Sequence, residues 1–290
     1  MSSLRLGQRL LRELYYNVLP LQDGRLFVSY GRNVGVFANG TFAPLNGLLR
    51  PARILRGGCA LAADGAIYWG EYFDNAQRGE IHIYRWDPHE DRASVVYTFP
   101  RGAIYHVHSV RVDPVDQSLL CLTGDRDDEC RLLRTRDEFA TLETLGAGDE
   151  SWRFVSLVPR QCDWLVATDA EFRQNQISRI DRVSRERTTI AETDGPIYYS
   201  AQIDDVAFFG SSAERCDIQP EPRATLYAVR GETATTVASF DKDLGASRLA
   251  WRLFLPGTLH FPSNGGVERS LYVSGVGVRG LDACVMRVDW

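Results

Sequence analysis

Short apolar or alternating segments, each bounded by turn residues, follow one another along almost the whole chain. Typical examples are RLFVSY (25–30), EIHIYRW (80–86), SLLCL (118–122) and DWLVAT (163–168). Valine, isoleucine, threonine and aromatic residues dominate these segments, as expected for strands with a buried face. Helical periodicity is almost absent after residue 14, which excludes a fold in which helices connect successive strands. The pattern therefore predicts an all-β protein.

The segments group into units of four strands that repeat about every 40–50 residues, the spacing of propeller blades. A tight polar turn joins the first two strands of a unit, and such turns occur at 22–25, 63–66, 113–117, 159–163 and 203–206. Six units fit, and the sixth lacks one strand, which SLRLGQRL (3–10) can supply. Closure of this kind removes an exposed sheet edge.

We therefore predict one domain, residues 1–290, that forms a six-bladed β-propeller. Its blades are four-stranded and antiparallel, and the N-terminal strand closes the last blade. The alternative is a pair of β-sandwiches, but no Pro/Gly/Ser-rich segment in mid-chain resembles a linker between them.

Charge and hydropathy narrow the range of partners. The net charge of −5 argues against nucleic acid as a partner, because phosphate binding depends on clustered positive charge. No run of 18 apolar residues is present, so we expect no membrane span. The first residues lack the uninterrupted apolar core of a secretory signal, and we therefore expect a cytoplasmic protein.

Most of the longer and more polar connections fall at one end of the predicted blades, although WDPHEDR (86–92) at the other end is also long and charged. They are rich in Glu, Asp, His, Tyr, Trp and Arg, and they comprise residues 70–79, 101–109, 124–130, 146–153, 168–176, 192–200 and 211–223. Functional residues concentrate on loops that a rigid scaffold holds in place. We therefore expect a pocket on this face of the propeller.

His106 and His108 lie two residues apart at the start of a predicted strand, so both imidazoles should point the same way. They could form a polar plug, act as a general base, or bind a metal ion. Carboxylates on the neighbouring loops, Glu71 and Asp125 among them, could complete a mixed metal site. The spacing selects no particular metal, and no cofactor is firmly implied.

Further candidate residues surround the predicted pocket. Glu71 and Asp125 each follow the second strand of a unit and could form the carboxylate pair that a glycosidase requires. Aromatic rings at the rim could stack on sugars, and polar residues could bind sugar hydroxyls. The candidates for substrate binding are Tyr72, Asp74, Asn75, Tyr105, Trp152, Asn175, Arg53 and Arg248. Packing between blades and the capping of turns are the structural alternatives for these residues.

The architecture resembles the sialidase-type, Asp-box (BNR) propellers. The segment TRDEFATLE (135–143) carries a degenerate form of their Ser-x-Asp-x-Gly-x-Thr-Trp turn, in which Thr135, Asp137 and Thr141 match. The resemblance implies a six-bladed fold; members of the group include exo-glycosidases, and many others only bind. RPARI (50–54), Arg153, Arg248, Tyr198 and Tyr199 correspond loosely to the arginines and the tyrosine of the sialidases, but the order of the arginine motif differs.

We predict a carbohydrate-active propeller that acts on a polysaccharide or glycoconjugate, and we favour an enzyme. In a hydrolase, Glu71 and Asp125 would supply the acid and the base or nucleophile. In a polysaccharide lyase, Arg153 would neutralise a uronate carboxylate and His106 or His108 would accept the proton, while Tyr198 or Tyr199 would protonate the leaving oxygen. The alternative is a non-catalytic propeller that binds a glycan or a protein through the same face.

Overall fold

Six small antiparallel sheets follow one another along the chain in the computed structural model, which describes residues 15–214, 223–243, 256–262 and 270–289. Each sheet has its strands in sequence order, and consecutive strands pair with each other. The predicted all-β, six-bladed β-propeller is thereby confirmed. No helix of the described residues is long and apolar enough to cross a bilayer.

The contacts divide the chain into two compact units, Met1–Arg153 and Phe154–Trp290. The first unit holds three sheets, with strands β1 (Tyr15–Pro20), β2 (Leu26–Tyr30), β3 (Asn33–Ala38), β4 (Thr41–Pro44), β5 (Cys59–Leu61), β6 (Ile67–Gly70), β7 (Ile81–Trp86), β8 (Ser94–Phe99), β9 (His106–Val112), β10 (Leu119–Gly124), β11 (Cys130–Thr135) and β12 (Glu143–Gly148). Two short 3-10 turns, Asp127–Glu129 and Glu150–Trp152, flank the third sheet.

The second unit holds the other three sheets, with strands β13 (Phe154–Pro159), β14 (Asp163–Thr168), β15 (Gln176–Asp181), β16 (Arg187–Glu192), β17 (Ile197–Ile203), β18 (Val206–Ser211), β19 (Arg223–Arg230), β20 (Thr233–Asp241), β21 (Thr258–His260), β22 (Ser270–Val276) and β23 (Val285–Asp289). The last sheet has three strands among the described residues. The segment predicted to close it, 3–10, lies outside them. The organisation of residues 1–290 as a single domain stays a prediction.

The second strands β10 and β14 are buried on both faces along their whole length. The last strand is more exposed, as in β8 and β12. Apolar side chains of neighbouring sheets pack together, so that residues of the second and third sheets form one core cluster. This burial of apolar area stabilises the stack of sheets and fixes the strand ends that carry the polar loops.

A β-bulge interrupts the first strand of several sheets. In β9, Val107 pairs with Thr123 and Ser109 with Leu122, so His108 is the extra residue. Val107 and Val110 are consequently both buried in the core although they are three residues apart. Bulges frequently re-aim side chains next to functional sites. The first strands β13 and β17 have a shift at the corresponding place, at residues 154–156 and 197–199.

The turn that carries the degenerate Asp-box segment is held by the three residues that match the motif. The Thr135 hydroxyl donates to Asp137 Oδ1 at 2.8 Å, and the Thr141 amide and hydroxyl donate to the same carboxylate at 2.9 and 2.7 Å. Phe139 stands where the motif has glycine, and its φ of 72° lies in the left-handed region that favours glycine. Its side chain is fully buried, and burial of the ring offsets the backbone strain.

Candidate functional site

The start of β9 and the end of β10 lie side by side in the third sheet. His106 pairs with Gly124, and the chain then continues directly into Asp125. Gly124 leaves room for the neighbouring imidazole, because a Cβ at this position would lie 2.6 Å from Cε1 of His108. The strand pairing thus brings two histidines and a carboxylate to one sheet end.

Three polar side chains converge on a single atom, Oδ1 of Asp125. His108 Nε2 is hydrogen-bonded to it at 2.9 Å, while His106 Nε2 and Arg153 Nε each lie 3.3 Å away. Both histidines are buried, with 3% and 2% of their surface exposed, whereas 21% of the Asp125 side chain and 17% of that of Arg153 are exposed. Solvent therefore reaches the carboxylate and the guanidinium, with the imidazoles behind them.

His106 and Asp125 have different protonation states in this cluster. Burial lowers the pKa of His106 despite the neighbouring carboxylate, which favours the neutral imidazole. Burial alone would raise the pKa of Asp125, but hydrogen bonding to His108 outweighs it and holds that pKa far below its usual range. Asp125 is therefore ionised at neutral pH.

Two tyrosines flank the cluster. The Tyr72 ring lies 4.1 Å from that of His106, and the Tyr105 ring lies 4.8 Å from it. The Tyr105 hydroxyl donates to Asp74, and the guanidinium of Arg78 lies over the Tyr105 ring at 4.4 Å. Burial and the Asp74 carboxylate raise the pKa of Tyr105, so its phenol keeps its proton at neutral pH.

Glu71, the other predicted carboxylate, has a different environment. Its side chain is completely buried, and both oxygens accept hydrogen bonds from the Arg50 guanidinium, at 2.9 and 2.6 Å. The His82 amide and the Tyr84 hydroxyl donate to it as well, at 3.0 and 3.1 Å. These donors occupy both oxygens of the carboxylate. Glu71 therefore forms an internal ion pair with Arg50 and does not belong to the solvent-accessible cluster.

The remaining candidates of the first unit have mainly local contacts. Arg53 and Tyr72 form a backbone bridge to each other, with N···O distances of 3.0 and 3.1 Å. Asn75 caps its own loop through the amide and carbonyl of Gly79. Trp152 lies flat on β12, where a Cβ on Gly146 would approach its ring to 2.0 Å.

The second unit carries the other predicted residues. The Tyr198 hydroxyl donates to the Glu214 carboxylate, and the edge of the Tyr199 ring meets His260 at a centroid distance of 5.0 Å. Asn175 is buried and bonds to both backbone groups of Ala170, so it holds its loop closed. Arg248 lies outside the described residues.

Several contacts at the site could not be expected from the sequence. Arg50, which neutralises Glu71, precedes it by 21 residues in a segment without regular structure. Arg78 and the backbone carbonyl of Phe73, which lies 3.2 Å from His106 Nδ1, also come from the irregular loop after β6. Glu214 lies just beyond β18, and only its position after a strand end indicated a loop residue.

Three atoms of the cluster that could bind a metal ion lie close together. Nε2 of His106, Nε2 of His108 and Oδ1 of Asp125 lie within 4.8 Å of one another, the one such group of three among the described residues. Chemically the cluster can bind a cation between these atoms, pair with an anion through Arg153, and exchange a proton through the exposed part of Asp125.

Comparisons with known proteins identify the fold. No protein-family model and no curated protein matches the chain. Among solved structures, the extracellular domain of a protein from B. thetaiotaomicron assigned as a one-component system has a TM-score of 0.59 at 11% identity, over 95% of this chain and 33% of that chain. A chain of the mitotic checkpoint complex gives 0.56 at 12% identity, over 95% and 77%. A chain of the nidogen/laminin complex gives 0.51 at 11% identity, over 86% and 84%.

These identities are too low to show more than a shared fold. The chain spans about a third of the length of the first of these structures and most of the other two. The comparisons support the β-propeller and offer no support for membership in the sialidase-type, Asp-box group.

Proposed function

We propose that the chain is a carbohydrate-active β-propeller that acts on an acidic polysaccharide or glycoconjugate, by elimination rather than by hydrolysis. The observation that carries this proposal is the convergence of Arg153 and two imidazoles on Asp125, with the rings of Tyr72 and Tyr105 against His106. Arginine suits the bidentate binding of a carboxylate, and tyrosine rings stack on the apolar faces of sugars.

Hydrolysis is disfavoured by the state of Glu71. A glycosidase of the common kind needs two carboxyl groups that can each reach the scissile bond or a water beside it. The Glu71 carboxylate is buried and filled by Arg50, Tyr84 and a backbone amide, so Asp125 lacks that partner. Elimination needs only a group that binds the uronate carboxylate, a proton acceptor and a proton donor.

Residues of the first unit can fill these three roles. Arg153 would pair with the uronate carboxylate, which makes the proton on the adjacent carbon easier to remove. One imidazole of the cluster, that of His106 or His108, would accept this proton, because Asp125, with its pKa far below its usual range, is too weak a base. The electrons of the broken C–H bond form the C=C bond as the bond to the leaving oxygen breaks, and the Tyr105 hydroxyl gives that oxygen a proton.

The test is a panel of polyuronates incubated with the protein, followed by near-ultraviolet absorbance of the unsaturated product and by an assay for new reducing ends. We expect both signals from the unaltered chain, and a loss of about 100-fold in Arg153→Gln because an electrostatic contact to the reacting group is removed. Arg32→Gln, in the turn after β2, is the control that should keep its activity. Reducing ends without the absorbance, or no cleavage of any polyuronate, would overturn the proposal.

A second candidate is a propeller that binds a protein. Two of the structural neighbours are chains of protein complexes, the mitotic checkpoint complex and the nidogen/laminin complex. The polyuronate panel separates the candidates, since a protein-binding propeller would leave every saccharide intact while its Arg153→Gln variant stays folded.

A further inference from the structure

We propose that Nε2 of His106, Nε2 of His108 and Oδ1 of Asp125 form a binding site for one divalent transition-metal ion. This site goes beyond the proposed saccharide chemistry, because it can be measured without any substrate. Its support comes from the hydrogen bonds of His106, from the distances between the three donor atoms and from the groups that surround them.

The hydrogen bonding of His106 indicates which ring nitrogen carries the hydrogen and which has a lone pair. Nδ1 lies 3.2 Å from the backbone carbonyl of Phe73, and a carbonyl can only accept, so Nδ1 carries the hydrogen. In the neutral ring, Nε2 then presents a lone pair. Nε2 is buried and has no hydrogen bond, although it lies 3.3 Å from Asp125 Oδ1.

A lone pair that faces a carboxylate oxygen in a buried place is unfavourable, because a buried polar atom without a partner has lost its hydration and gained no hydrogen bond. A cation between the two atoms removes this cost, since both are then ligands. A proton on Nε2 would do so only with an aligned hydrogen bond, which the geometry of His106 and Asp125 does not provide.

The distances between donor atoms fit a metal ion. Ligand atoms at about 2.1 Å from a tetrahedral ion lie about 3.4 Å from each other. The separations from Asp125 Oδ1 to the two Nε2 atoms are 3.3 and 2.9 Å, so an ion needs only small adjustments of the side chains. On binding, the hydrogen that His108 Nε2 donates to Asp125 moves to Nδ1 of the same ring, so that Nε2 offers its lone pair to the ion.

The surroundings supply the supporting contacts that metal ligands usually have. A metal-binding histidine normally donates its other ring N–H to a carbonyl or carboxylate, as His106 does to Phe73. The carboxylate ligand is itself contacted by a cation, Arg153. Two imidazoles and one carboxylate suit zinc, manganese or iron(II), and three protein ligands leave coordination positions for an exogenous group. That this group is the carboxylate of a saccharide rests on the proposed function.

The experiment is equilibrium dialysis of the chelator-treated chain against Zn²⁺, with elemental analysis, and titration with Co²⁺ followed by its visible absorption. We expect one ion per chain and a Co²⁺ spectrum typical of mixed nitrogen and oxygen ligands. Asp125→Asn and His108→Gln should each lower the affinity at least about 100-fold. His82→Gln, a buried histidine bonded to Thr98, and His89→Gln, on an exposed turn, should bind as the unaltered chain does.

The melting temperature gives a readout for variants that fold less well. Zn²⁺ should raise it in the unaltered chain and in His82→Gln, and leave it unchanged in Asp125→Asn, because only an ion bound to the folded state stabilises it. The proposal is overturned if the unaltered chain binds no stoichiometric ion, or if Asp125→Asn binds Zn²⁺ as tightly as the unaltered chain. Ion binding without cleavage of any polyuronate would reject the proposed function and leave the metal site standing.

Discussion

Two strand ends of the first unit carry the same pair of residue types in different environments. The second strand of the second sheet ends in Gly70 followed by Glu71, and that of the third sheet ends in Gly124 followed by Asp125. The first carboxylate is completely buried and neutralised by Arg50, whereas the second is partly exposed and shared between imidazoles and Arg153. Position in a repeat therefore sets where an acid lies, and the neighbouring loops decide whether it stabilises the fold or meets a ligand.

Neutralising each acid should separate these two roles most clearly. Glu71→Gln should lower the free energy of unfolding by about 3 kcal/mol, since breaking a buried ion pair leaves an uncompensated charge and misplaced donors. Asp125→Asn should lower it by less than Glu71→Gln does, because the Asp125 carboxylate is partly hydrated and Asn keeps an acceptor. Denaturant unfolding of both variants measures the difference.

Glu80→Gln is the matched control for this pair, as Glu80 is exposed at the start of β7 and should change little. Equal losses in Glu71→Gln and Asp125→Asn would show that the two carboxylates have the same structural role and would break the comparison.

The glycines before the two acids give a second, smaller contrast. A Cβ at Gly70 would lie 2.4 Å from Cβ of Val107, and one at Gly124 would lie 2.6 Å from Cε1 of His108. Gly70→Ala and Gly124→Ala should each cost about 2 kcal/mol, as overpacking does. Only Gly124→Ala should weaken Zn²⁺ binding, because it displaces a ligand ring. Calorimetric titration of both variants checks this, and a similar loss of affinity in Gly70→Ala would count against it.

Asp137, an exposed acid, is the reference for the two strand ends, and its substitution should have the smallest effect on stability. Hydrogen bonds from Thr141 lower the pKa of Asp137 in the folded chain below its ordinary value of about 3.9. This contribution to stability is present above that value and is lost as the pH falls through the folded-state pKa. Asp137→Asn should therefore be slightly less stable at pH 7, and its difference from the unaltered chain should shrink below about pH 4. Thermal melts from pH 7 to pH 3 test this, and a constant difference would contradict it.

The sequence was sufficient to predict the fold and the core of the candidate site. Period-two patterns and regularly spaced turns indicated four-stranded blades, because each strand has to present an apolar face to the next sheet. The spacing of His106 and His108 and the place of Asp125 after a strand end were enough to expect these side chains near each other. Arg153 was a candidate for the same reason, as it precedes β13.

The partners of each polar group could not be predicted. The fate of Glu71 depends on Arg50, whose segment has no periodic pattern and reaches Glu71 only through tertiary packing. Likewise, the sequence could not show that the Tyr198 hydroxyl donates to Glu214 rather than facing a ligand. Loop conformations are set by many weak local contacts, and these leave no period in the sequence.

Because His108 is an extra residue in β9, the positions of the side chains at the candidate site depend on the length of this strand as well as on its composition. Deleting His108 or Ser109 would restore regular pairing with β10 and leave Val107 and Val110, then two residues apart, on the same core face. The core would therefore keep both valines, whereas the imidazoles at the start of the strand would be lost or redirected. Substitutions in β9 would not reveal that the site depends on the length of the strand, whereas single-residue deletions would.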